Sequence, residues 1–99
     1  MKYLEKEEDF KEIINKDLVL VDFFATLCGP CQAMGLVLEE FCKENPDIEV
    51  IKVDVDKFNN ISKEYGIMSI PTLKVFKKGQ ITKEHTGYLN KEGLIDLLK

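Results

Sequence analysis

Two rhythms of apolar residues run along this chain. Leu18-Val19-Leu20-Val21-Asp22-Phe23-Phe24 is an almost unbroken apolar run of strand-forming residues. It has the pattern of a central strand covered on both faces by helices. From Pro30 onward, Met34, Leu38 and Phe41 return on one helical face until Asn45-Pro46 stops the helix. Earlier, Phe10, Ile13 and Ile14 punctuate the charged segment Glu7 to Asn15, predicting an amphipathic first helix preceded by a short strand around Lys2 to Leu4. Ile48 to Val55 alternates as a strand, and Phe58 to Tyr65 reads as a short helix ending at Gly66. After Pro71, Thr72 to Lys77 and Ile81 to Gly87 form two strands joined at Lys78-Gly79, and Lys91 to Leu98 forms a last helix. The sum is an α/β chain, a mixed central sheet of about five strands flanked by about four helices. In such sheets sites lie at the carboxyl ends of strands.

Composition narrows this picture. A chain of 99 residues that is 44% hydrophobic fills one compact core and not two, so residues 1–99 are expected to form a single domain. No linker-like composition and no internal repeat interrupts it. The net charge is −4 and basic residues are scattered among acidic ones, which argues against a nucleic-acid partner. The longest apolar stretches, Leu18 to Val21 and Phe23 to Thr26, fall far below the roughly 20 residues of a membrane-spanning helix. The segment Met1 to Asp9 is charged, with neither an apolar core nor a small-residue cleavage site. It is not a secretory signal, and a cytoplasmic location is expected.

The chemistry lies in the cysteines. There are three, two of them in Cys28-Gly29-Pro30-Cys31, which is not the framework of bridges that staples small secreted domains. In a reducing compartment such a pair is redox-active or binds metal. Half of a zinc site is the alternative, but there is no second pair and only one histidine, His85, so neither a metal nor a cofactor is assigned. His85 reads as a partly exposed strand residue without a role. The pair sits where strand becomes helix, and the free N–H groups and dipole of a first helical turn favour a thiolate there. Cys28, before the helix, is placed to attack a disulfide, and Cys31, one turn in and facing the sheet, to resolve the mixed disulfide. Pro30 suits the first turn and stiffens the ring.

Val21-Asp22-Phe23-Phe24-Ala25, then Cys28-Gly29-Pro30-Cys31, then Ile70-Pro71-Thr72 about forty positions later together resemble the thioredoxin family, and the resemblance covers nearly the whole chain. It implies the thioredoxin-like fold and reduction of protein disulfides by the Cys28/Cys31 dithiol. It also implies disulfide-containing protein substrates, a reductase as electron donor, and a monomer. Asp22, a carboxylate inside an apolar strand, must be paired or raised in pKa. The resemblance makes it the proton acceptor for the resolving cysteine, with Lys52 approaching it; the alternative for Lys52 is a solvated surface lysine. Pro71 matches the family's cis-proline, which leaves the backbone of Ile70 open to a substrate strand. Leu27, Gly29, Pro30 and Gly87 complete the implied substrate-facing surface.

Three positions depart from the family pattern. Leu27 replaces the usual tryptophan before the first cysteine, which bears on partner choice. Leu36 replaces a helix-kinking proline, and Gln32 stands where a basic residue is common. Cys42, eleven positions after Cys31, lies about 16 Å along the helix axis, too far to bridge to it. It reads as a small buried apolar side chain, with a redox-sensing or dimer-forming thiol as the minority alternative. Two rivals to a reductant are a non-catalytic binding module of the same fold, and an oxidase or isomerase. The absence of a secretory signal argues against the last.

Overall fold

A computed structural model describes all residues, 1–99. The chain runs β1 (Lys2–Tyr3), a 3-10 turn (Glu7–Asp9) continuing into α1 (Phe10–Ile14), β2 (Val19–Phe24), α2 (Gly29–Glu44), β3 (Glu49–Asp54), α3 (Asn59–Glu64), β4 (Thr72–Lys77), β5 (Gln80–Thr86) and α4 (Lys91–Leu97). The first helix falls within the charged segment expected for it, with α1 spanning the periodic residues Phe10 to Ile14. Glu7, Glu8 and Asp9 adopt the tighter 3-10 winding before the chain relaxes into α1, a common way for a helix to begin.

The strands form one sheet in the order β1-β3-β2-β4-β5, so the apolar run of β2 lies at the centre, as expected. The β2–α2–β3 crossover makes those two strands parallel, Asp22 opposite Lys52, whereas β4 runs antiparallel to β2, with Phe23 opposite Thr72. Because successive strand residues point to opposite faces, β2 feeds two cores. Val19, Val21 and Phe23 join Phe10, Ile14, Phe58, Ile61 and Phe76 on one side. Leu20 joins Met34, Leu38, Phe41, Leu73 and Leu94 on the other. Asp22 occupies the second face, two residues beyond Leu20, and is fully buried. No helix is long and apolar enough to cross a membrane.

Lys78 and Gly79 form the two-residue β4–β5 turn with φ of 51° and 83°, the left-handed pair a tight hairpin needs. A lysine holds that conformation because its N–H donates to the Lys16 carbonyl at 2.8 Å, and that of Gly79 to Ile14 at 2.9 Å. Helix α4 is fastened over α2 by buried Leu94 and begins at Asn90, whose Oδ1 accepts the Gly93 N–H at 2.8 Å. Asn90→Ala is expected to lower stability by about 1 kcal/mol, the usual cost of losing such a cap. Urea unfolding checks this, and an unchanged midpoint would show the cap to be idle.

Candidate active site at the carboxyl end of the sheet

Strand β2 ends at Phe24, and four residues later Cys28 caps α2 in extended conformation, φ −149° and ψ 109°. Its Sγ accepts a hydrogen bond from the Cys31 N–H at 3.2 Å, so a free backbone donor of the first turn is spent on that sulfur. A disulfide joins Cys28 and Cys31 across a Cα–Cα distance of 5.2 Å, within the span a disulfide needs. The two sulfurs are not equivalent. Cys28 is half-buried among Leu27, which is 96% exposed, and the exposed Gly29 and Pro30; Cys31 is only 2% exposed. An incoming disulfide can reach Cys28 and not Cys31.

On the face of β2 that packs against α2, Asp22 is 0% exposed and neither carboxylate oxygen has a hydrogen-bond partner. Its one opposite charge is Lys52 on the paired strand, Nζ 3.9 Å from Oδ2. Burial pushes the Asp22 carboxyl up to about 6, against the downward pull of the Lys52 ammonium. Lys52 is itself 6% exposed, so it is not a solvated surface lysine. Its ammonium lies 4.4 Å from the Phe24 ring centroid and 5.3 Å from that of Tyr3, contacts that offset part of its lost hydration. A cleft of about 500 Å³ opens here, its walls including Cys31, Lys52, Phe24, Gly35 and Glu39.

The strand register brings the remaining sequence candidates to the same end of the sheet. Thr72 stands opposite Phe23 on one side and Thr86 on the other, so Pro71 and Gly87 lie where β2 leaves for Cys28. The Ile70-Pro71 bond is cis, as the resemblance implies. Gly87, with φ of 101°, donates its N–H to the Pro71 carbonyl at 2.7 Å. The left-handed φ is one a side chain would strain. Ile70 is half-buried, and its N–H and C=O make no hydrogen bond within the chain. Sequence reasoning missed Met68, 95% exposed two residues before Ile70; its signal was an apolar residue in the connection between Gly66 and Pro71. His85 is half-buried on β5, opposite Leu73, and Cys42 is a free, half-buried thiol beside the α2–α4 core. No group of three or more His, Cys, Asp or Glu side chains is arranged to hold a metal.

A family model described as Thioredoxin matches residues 1–99. The chain belongs to the thioredoxin family. Among its relatives, the thioredoxin of Mycoplasmoides gallisepticum is 38% identical over 100% of both chains. That of Bacillus subtilis is 39% identical over 93% of this chain and 89% of its own. Among solved structures, Plasmodium falciparum thioredoxin superposes with a TM-score of 0.90 at 36% identity, covering 99% of this chain and 96% of that one. Fasciola hepatica thioredoxin gives 0.90 at 34% over 99% and 96%. The protein is accordingly a thiol–disulfide oxidoreductase that works through its cysteine pair on disulfide substrates and is recharged by a reductase. Against the family pattern, α2 runs unbroken from Gly29 to Glu44, because Leu36 supplies the backbone N–H that a proline lacks.

Proposed function

We propose that the chain acts as one cytoplasmic, monomeric domain that reduces protein disulfides, with Cys28 attacking, Cys31 resolving and Asp22 taking the proton between them. The observation that carries this reading is the unequal burial of the two cysteines, at the start of a helix packed on the face of β2 that carries a buried carboxylate without any hydrogen bond. The Cys28 thiolate, held by the Cys31 N–H, attacks one substrate sulfur; the substrate S–S bond breaks, a Cys28–substrate disulfide forms and one substrate thiolate leaves. Asp22 then accepts the Cys31 proton. The Cys31 thiolate attacks Cys28 Sγ, the second substrate thiolate departs, and both released thiolates take up protons. Two electrons have passed from the dithiol to the substrate, and a reductase returns them. A base with a pKa of about 6 is ionised at neutral pH yet basic enough to draw a thiol proton.

In this reading the open N–H and C=O of Ile70 pair with an extended substrate segment beside Pro71, as edge backbone does elsewhere. Leu27, Gly29, Pro30 and Gly87 flank that segment, and Met68 adds apolar surface. Leu27 offers hydrophobic contact without an indole donor, so substrate choice rests on shape and backbone pairing more than on a side-chain hydrogen bond. Lys52 tempers the rise that burial imposes on the Asp22 carboxyl without touching substrate.

The deciding experiment supplies NADPH with a thioredoxin reductase, or a dithiol in its place, and follows reduction of a disulfide-bonded protein. Catalytic turnover is expected, at least tenfold above the dithiol-only rate. No acceleration with any reductant, together with partner binding that survives loss of both thiols, would make the chain a binding module instead.

A further inference from the structure

We propose that Gly35 is a positioning residue, whose missing side chain leaves the space in which the Lys52 ammonium is held beside Asp22. The inference rests on the reading of Asp22 as proton acceptor and extends it to a residue that touches neither thiol nor substrate. Gly35 lies well inside the 16-residue helix α2, where glycine is the least favourable residue after proline. Its backbone does not need glycine, since it is helical and without positive φ. What glycine supplies is room of a specific kind. A Cβ built at position 35 meets one atom outside the helix within 4 Å, Lys52 Nζ at 3.3 Å. By contrast, a Cβ at Gly29, at the mouth of the same helix, meets nothing within that distance.

The ammonium has little freedom to accommodate a methyl group. It is packed 4.4 Å from the Phe24 ring centroid, and Asp22 below it is fully buried. The open side is the cleft, which Lys52 lines and from which it keeps its 6% exposure. A methyl at position 35 therefore drives Nζ outward along the cleft and lengthens the 3.9 Å separation from Asp22 Oδ2. The attraction that holds down the Asp22 carboxyl weakens as that gap opens.

The other groups around this pair are few. Cys31 and Glu39 on α2, Tyr3 on β1, Asp54 at the end of β3 and Lys57 just after it line the same cleft. Strand β4 sets Leu73 opposite Asp22, and His85 stands one strand further away on β5. In the oxidised protein Cys31 does not titrate, which leaves Lys52 as the dominant charge on Asp22.

The test is to titrate Asp22 by its side-chain carbon NMR shift in the oxidised full-length protein, comparing wild type, Gly35→Ala, Lys52→Met and the double variant. Gly35→Ala is expected to raise the Asp22 midpoint by about 0.4 unit, the change for a half-ångström retreat from 3.9 Å at an effective dielectric of about 20. The same substitution in the Lys52→Met background is expected to leave the midpoint where Lys52→Met alone puts it. No shift, a downward shift, or an equal shift in both backgrounds would overturn the proposal, the last because the methyl would then act by drying the cleft. The proton-acceptor reading fails on a different measurement, an unchanged rate of substrate release in Asp22→Asn, in which Gly35 plays no part.

Discussion

Replacing Cys31 with serine is expected to convert the protein from a catalyst into a trap. In a Cys42→Ser background, which removes the one other thiol, Cys31→Ser should accumulate a one-to-one adduct with a disulfide-bonded protein, joined through Cys28. The first step survives because the feature that favours the Cys28 thiolate is the backbone N–H of residue 31, which serine retains. The second step fails because a serine hydroxyl does not displace a thiolate from a disulfide. Release then depends on chance encounter with external thiols, so the adduct's lifetime stretches to the minutes-to-hours scale of uncatalysed exchange. Cys28→Ser should bring turnover to the uncatalysed background and form no adduct, since Cys31 is only 2% exposed. Non-reducing electrophoresis followed by mass spectrometry of the linked peptides reads both outcomes. Equal trapping by the two variants would overturn the assignment of attacker and resolver.

The difference in exposure behind that assignment was visible in the sequence because it depends on local order along the chain. A cysteine before a helix and another one turn inside it differ in exposure wherever the helix packs on a sheet. Strand β2 was legible for a related reason: an apolar run interrupted only by Asp22 has few other places to go. The isomer at Pro71 and the position of Gly87 came from resemblance, and the fold adds the bond between them, Gly87 N–H to Pro71 C=O. Lys52 beside Asp22 also came from resemblance, since its own surroundings in the sequence did not decide between a paired and a solvated lysine. A lysine in an alternating strand is ordinarily solvated, and its burial depends on β1 pairing with β3, which carries Tyr3 to its ammonium, together with Phe24 from β2. Gly35 was invisible for the same reason, since its significance is a distance to a residue on another element. The 3-10 winding of Glu7 to Asp9 was not legible, because hydrophobic spacing at Phe10, Ile13 and Ile14 says nothing about how tightly the acidic residues ahead of them wind.

The second large effect is expected at Asp22, and it has opposite signs in stability and in catalysis. Burial raises its carboxyl in the folded, oxidised protein from the ordinary 3.8 to about 6. A raised pKa means that the folded state binds this proton more tightly than the unfolded chain does. The resulting stabilisation is full below about pH 4 and is lost as pH rises through 6. With 2.2 units between the two values (6 − 3.8), the loss is about 3 kcal/mol at neutral pH. Asp22→Asn carries no such ionisation. Its stability relative to wild type should therefore climb between pH 4 and 7 by about that amount and stay level outside this window, the other carboxylates cancelling in the comparison. In thermal unfolding at pH 7.5 the pH-dependent part corresponds to a gain of roughly 10–20 °C for a chain of this size. A flat or falling difference would mean that Asp22 is not the strained carboxylate its burial indicates. Catalysis should move the other way. Asparagine cannot accept the Cys31 proton, so substrate release should slow by on the order of 10²-fold at pH 7, the usual contribution of a positioned base. The deficit should shrink as pH approaches about 8.5, where an ordinary thiol ionises without help. A protein stabilised by losing this carboxylate and slowed by the same change would show that the buried charge is kept for the second half of the exchange, at a standing cost to the fold.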